Sequence, residues 1–196
     1  MNLADMITLV RRDLRDETIP YQWSDDELTR HINRALKQLS ERVPLPAKAT
    51  LATTADSREI DMSSLTDRIM VQAVEYPVDE FPKRYQRFSI WGDTLTILGS
   101  EVPDGSDAYI YYGKLHTLGG STSTIPTKHE DLVATGACGY AAVSWAAYSI
   151  NRVNVGGAMT PREFLTWGKD RLRTFNDALK RLGRRQRIRT SQLYKP

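Results

Sequence analysis

The residues best equipped for chemistry are scattered along this chain. Histidine occurs three times, as His31, His116 and His129, and cysteine once, as Cys138. His129-Glu130 opens like a zinc-protease motif, which needs a second histidine one helical turn on, but Val133 occupies that place. The three histidines fall on different segments, so neither a transition-metal site nor, with one cysteine, an internal disulfide is expected. His129 reads as a surface residue at a helix start. Cys138 lies within a run of small residues, the setting of a buried inert thiol; a nucleophile would need an exposed electropositive niche. Gly119-Gly120-Ser121-Thr122 resembles a phosphate loop only loosely, because the Gly-Lys-Ser/Thr ending is missing and Pro126 follows. Asp25, Asp26 and Glu27 sit at a helix start, where carboxylates complement the helix dipole. Tyr109, Tyr111 and Tyr112 read as packing residues of a half-buried strand, with a stacking platform for nucleic acid as the competing reading. No catalytic, cofactor-binding or metal-binding set results, and an enzyme is not expected.

Charge is more informative. The last nineteen residues contain seven basic side chains, Lys180, Arg181, Arg184, Arg185, Arg187, Arg189 and Lys195, and no carboxylate. The whole chain has 27 basic and 24 acidic residues, so the remainder is an acidic body with 20 against 24. Segregated charge of this kind acts on a complementary surface. Beyond Gly183 only Ile188, Leu193 and Tyr194 are apolar, too few to offset the entropy of ordering the segment alone. The sequence therefore predicts a flexible arm that orders on a partner.

The elements that carry these residues announce themselves by their starts. Ser24-Asp25-Asp26-Glu27, Thr127-Lys128-His129-Glu130 and Thr160-Pro161-Arg162-Glu163 each place a hydroxyl three residues before a glutamate, the pattern of a reciprocal capping box. Leu28, Ile32, Ala35, Leu36 and Leu39 recur at helical spacing after the first, up to Pro44 and Pro46. Leu3, Met6, Ile7, Val10 and Leu14 mark an earlier helix, closed near Ile19-Pro20. Phe164, Gly168, Leu172, Phe175, Leu179 and Leu182 trace a late one, with Gly183 expected as its C-cap. Between Ala134 and Ala147 the pattern is Ala, Gly and Ser on nearly all sides, which predicts a central helix buried on several faces.

From Pro46 to Ile125 the period shortens. Arg87 to Trp91 and Thr94 to Leu98 flank Gly92-Asp93 as a two-residue hairpin, Ala108 to Tyr112 is a strand, and Met70 to Tyr76 and the Leu51 region are weaker strands. Residues 119–124 read as a flexible linker. The expected fold is α+β: a helical bundle from N- and C-terminal helices (1–46 and 125–183), an inserted β-rich lobe (47–124) and a flexible basic C-terminal arm (184–196). No apolar run approaches the roughly 20 residues that span a bilayer, and Met1-Asn2-Leu3-Ala4-Asp5 lacks a signal-peptide pattern, so synthesis in a cytoplasm is expected.

Ile7 to Glu17, Trp23 to Leu28 and His31 to Ala35, followed by Phe88 to Leu95, Tyr111 to His116 and His129 to Ala137, together resemble tailed-phage head-to-tail adaptor proteins, also called head-completion or neck connector proteins. The resemblance runs in order through most of the chain on structural motifs. It implies a virion protein of the neck, made in the host cytoplasm, that assembles with itself as a ring, usually of twelve subunits, beneath the portal protein. A downstream tail, stopper or nozzle protein would follow, and viral DNA would pass through the channel without specific binding. In such adaptors a C-terminal extension commonly engages the portal. Carried onto this chain, that makes Arg184, Arg185, Arg187, Ile188, Arg189, Leu193 and Tyr194 the candidate portal-binding residues. The acidic body suits a channel in which DNA slides, since a gripping wall would carry cations. The alternative is a nucleic-acid-binding or regulatory protein that uses its basic tail on phosphates.

Overall fold

The computed structural model describes residues 1–149 and 161–192, with side chains through residue 186. Two compact units result. One is Met1–Val43 with His116–Gly183, and the other is Pro44–Leu115, with which the chain from Arg184 is grouped.

The first unit is helical. Helix α1, Leu3–Leu14, is closed at its start by Asn2, whose side chain accepts from the Asp5 amide while the Asp5 carboxylate accepts from the Asn2 amide. That box uses an amide side chain and so lies outside a search restricted to hydroxyls. Helix α2, Asp25–Arg42, has the expected box: Ser24 Oγ accepts from the Glu27 amide, and Glu27 Oε2 accepts from the Ser24 amide at 2.8 Å. Buried Trp23 and Leu28 flank it as a hydrophobic staple. The box expected at Thr127 does not form. Thr127–His129 is a 3-10 turn with Pro126 as its N-cap, so Glu130 is pushed out of the third position, and its carboxylate accepts from the Met1 amino group at 2.8 Å. Helix α3, Glu130–Ser149, follows directly. His129, expected at the surface, is buried. Thr160 lies outside the described residues; helix α4 is Pro161–Gln192.

The small-residue helix is central as expected, for α3 packs against both α1 and α2. A Cβ on Gly136 would stand 3.0 Å from both Ala35 and Phe175, and one on Gly139 would stand 2.8 Å from Leu172 Cγ, so α4 also lies against it. Met6, Val10, Leu28, Ile32, Leu39, Val133, Ala137, Cys138 and Phe175 fill the shared core. Gly183 does not end α4. It is buried within the helix, where an added Cβ would meet Arg42 Cδ at 3.3 Å, so close packing rather than a left-handed cap accounts for this glycine.

The second unit holds two antiparallel sheets. Strands β1 (Leu45–Ala52), β7 (Asp107–Lys114), β3 (Arg68–Glu75) and β4 (Tyr85–Gln86) form one, in the order β1-β7-β3-β4. Strands β2 (Glu59–Asp61), β6 (Thr94–Ile97) and β5 (Phe88–Trp91) form the other, in the order β2-β6-β5. The expected hairpin is present: Phe88 pairs with Ile97 and Trp91 with Thr94, and Gly92 takes φ +59° in the turn. Ile60, Met62, Val74, Leu95, Ile97, Ile110 and Tyr112 from the two sheets bury a common core. An α+β fold is thus observed.

The two passages of chain that bound the helical unit are joined within it by His116. Its amide donates to Ser40 Oγ at 3.0 Å, and its ring nitrogens lie 3.0 Å from the Val43 carbonyl and 2.8 Å from the Thr124 carbonyl. The stretch expected as a loose linker is a tight turn, with the Gly119 amide donating to Thr122 O at 2.8 Å and Leu118 bridged to Ser123.

Candidate assembly surfaces

Among the described residues, no group of three or more His, Cys, Asp or Glu could hold a metal ion. Burial, with Asp13 adding to it and Arg171 opposing, pushes the Cys138 thiol up to about 12, so it stays protonated and inert at neutral pH. Among the described residues no helix is long and apolar enough to cross a membrane. The tyrosines of β7 are engaged. Tyr111 donates to Glu75 at 2.6 Å, Tyr109 donates to Asp79 at 2.9 Å, and Lys48 sits 3.7 Å over the Tyr109 ring. Burial alone would raise the Glu75 carboxyl, but hydrogen bonds from Tyr111 and Lys83 outweigh it and leave the group below its ordinary value. This polar arrangement belongs to packing, since the ring faces are not open as a stacking row.

A different kind of surface is present in the helical unit. Arg11 is buried on α1 and binds Asp16 at 2.5 Å, Asp25 at 2.7 Å and the Trp23 carbonyl at 2.9 Å, with Tyr21 stacked 3.9 Å from its guanidinium. Asp16 also accepts from the Gln22 amide at 2.7 Å. The connection from α1 to α2 is thereby held with Trp23 inward. Phe164 of α4 lies 6.1 Å from the Trp23 ring and 4.9 Å from Trp145 of α3, measured between centroids. Beside these rings opens a cavity of about 580 Å³ lined by Gln22, Trp23, Glu27, His31, Ser144, Trp145 and Tyr148. His31 is nearly inaccessible. Burial, then Arg30 and Arg34, with Glu27 opposing, hold its pKa down to about 4, so the imidazole is neutral at physiological pH.

The β unit presents the reverse, exposed apolar groups on a firm support. Trp91 is 90% exposed and Ile90 40% exposed at the tip of the β5–β6 hairpin. Arg68 holds that tip from β3, donating to Gly92 O at 3.3 Å and Asp93 Oδ1 at 3.0 Å, while the Met62 amide donates to Asp93 O at 2.8 Å. Phe81 is also fully exposed. Nothing in the strand alternation singled out Trp91, because a tryptophan in a β-prone run reads first as core.

Of the residues expected to bind a portal, Arg184 and Arg185 are exposed on α4. Arg187, Ile188 and Arg189 are on the α4 backbone, but their side chains, and all of Leu193 and Tyr194, lie outside the described residues. What the described part shows is an uninterrupted helix that carries the basic run away from Gly183.

A family model described as SU10 adaptor protein matches residues 1–194. The chain belongs to the SU10 adaptor protein family. The match runs from before α1 to the penultimate part of the arm, so both units and the basic segment fall within it. A comparison with curated proteins finds no match. SU10 adaptor proteins form a class of structural phage proteins, in agreement with the resemblance carried by the six stretches between Ile7 and Ala137.

Proposed function

We propose that this SU10 adaptor protein forms a ring in the virion neck, seated on the portal protein, passed on to a downstream tail, stopper or nozzle protein, and continuing the channel for DNA. The family match over residues 1–194 is the observation that carries this reading. The distribution of charge supports it, since a body with 20 basic and 24 acidic residues suits a channel in which DNA slides, while its basic arm suits an acidic protein surface. In this account the arginines from Arg184 to Arg189 pair with portal carboxylates in two-pronged fashion, and Ile188, Leu193 and Tyr194 anchor the arm in apolar pockets. Each arm binds weakly alone, but a ring presents many at once, and every later contact forms at high effective concentration.

Ending the chain after Leu182 tests the arm. The truncated protein should stay folded, its helical circular dichroism reduced only by the helical stretch removed from Gly183 to Gln192, and lose attachment to portals in a pull-down or in sedimentation. Charge reversal at Arg184, Arg185 and Arg187 should weaken attachment with no DNA present. The exposed Arg184 and Arg185 also fit the alternative of a nucleic-acid-binding protein. That alternative gains if truncated protein still caps portals while the full chain protects a defined DNA sequence.

A further inference from the structure

The concentration of positive charge begins before the arm. Arg162 to Lys195 hold eleven of the 27 basic residues and three of the 24 acidic ones, so the chain before them has 16 against 21. Helix α4 sets these cations in a row. Arg162, Lys169, Arg173, Lys180 and Arg184 follow one another at steps of seven, four, seven and four residues. At about 3.6 residues per turn those steps keep all five in a sector of about 60°, along about 33 Å of helix. Each of the five is exposed. Lys169, Arg173 and Arg184 make no ion pair among the described residues, and Lys180 meets Asp177 at 3.5 Å, an exposed contact that holds little. The rest of α4 is otherwise engaged. Gly168, Phe175, Leu179 and Gly183 turn into the helical unit, and Arg171 lies 5.0 Å over the Trp167 ring.

A row of like charges on a rigid helix repels itself and is stabilised by a surface of opposite sign. Phosphates of DNA or carboxylates of a protein could supply that surface. Glu163, Asp170 and Asp177, exposed and seven residues apart, run along the flank of the row. They would face phosphates as like charge, whereas a protein surface offers both signs and can match both lines. Helix α4 also runs without a break past Gly183 into Arg184 and Arg185, so the row and the arm share one axis.

We propose that the Arg162–Lys169–Arg173–Lys180 face of α4 docks on an acidic surface of the portal, in line with the arm. This rests on the portal reading above and moves the start of the docking surface from Gly183 into the helical unit. The two arginines can take carboxylates in two-pronged fashion, and the two lysines act as point charges. Exposed charges of this kind orient and speed an encounter more than they hold it. The row therefore sets how the subunit lands, and the arm retains it.

Lys169→Glu combined with Arg173→Glu in the full chain tests it, by sedimentation with portals over a series of salt concentrations. Both side chains are exposed, so the circular dichroism spectrum should stay that of the folded chain. Attachment should weaken by about tenfold or more with the arm intact, and its dependence on salt should flatten. Lys169→Arg with Arg173→Lys keeps the charge and should keep attachment. Arg87→Glu with Lys128→Glu makes the same change in net charge at exposed residues of other segments and should leave attachment as it was. Unchanged attachment of the reversed α4 pair, or an equal loss for the Arg87 and Lys128 pair, would overturn the docking face and leave the portal reading standing. Failure of the unmodified chain to attach would overturn both. If the reversed α4 pair still binds portals but no longer retains duplex DNA, the face is a phosphate surface and the proposal fails.

Discussion

Replacing Gly139 by leucine probes the point where α3 and α4 approach most closely. A Cβ on Gly139 would stand 2.8 Å from Leu172 Cγ, 2.9 Å from Leu172 Cδ2 and 3.1 Å from the Gly168 carbonyl oxygen. On the facing helix, a Cβ on Gly168 would stand 3.0 Å from Ala142 Cβ and 3.2 Å from the Gly139 carbonyl oxygen. Two glycines thus oppose each other across the crossing, and on each side one of the obstructing atoms is a backbone carbonyl oxygen. Leucine in place of glycine gains about 0.8–1 kcal/mol of helix propensity. Overpacking a tight interior costs about 1–3 kcal/mol, and with the first carbon already obstructed the upper half of that range applies. The net loss is about 1–2 kcal/mol, or a melting temperature lower by about 2–8 °C for a chain of this size. Thermal unfolding followed at 222 nm reads it. In a Leu172→Ala background the obstruction at 2.8 and 2.9 Å is gone, so the same substitution should cost less than half as much. Gly120→Ala, where an added Cβ meets nothing within 4 Å, is the control and should leave the midpoint unchanged. An unchanged midpoint for Gly139→Leu, or an equal loss in both backgrounds, would refute the close crossing.

Three further outcomes follow from other contacts. Arg11→Met should destabilise the helical unit by about 3–5 kcal/mol in urea titration, because it strands the buried Asp16 carboxylate without its cation. His31 is held neutral to about pH 4 in the fold but protonates near 6.5 when unfolded, so the unfolded state takes up the extra proton as pH falls between those values. Stability should therefore drop by up to about 3 kcal/mol from pH 6.5 to 4, and His31→Phe should flatten that part of the pH profile. His116→Ala removes the ring contacts to the Val43 and Thr124 carbonyls and should cost about 1–3 kcal/mol, again by urea titration.

Local signals that depend on neighbours in sequence were legible. Ser24 with Glu27, the Trp23–Leu28 staple and the Gly92-Asp93 hairpin all form as their spacing predicts, because each is completed within a few residues. The small-residue stretch also announced a central helix, since only burial on several faces accommodates it. Signals whose meaning depends on distant chain misled. Thr127 and Glu130 have the right spacing, but the Met1 amino group takes the glutamate and a 3-10 turn shifts the helix start. Gly183 looked like a cap and is instead a packing glycine against Arg42. His129 looked exposed at a helix start and is buried. The cavity at His31 has no local signature, for it is made by elements far apart in sequence. The basic run from Lys180 to Lys195 is read from composition alone.

Electron microscopy of the full-length protein mixed with its portal tests the ring most directly. The account predicts one closed ring of this chain on a single face of each portal, coaxial with it, and with an open centre wide enough for duplex DNA. Portals that remain bare, or that carry isolated copies at scattered positions, would contradict it.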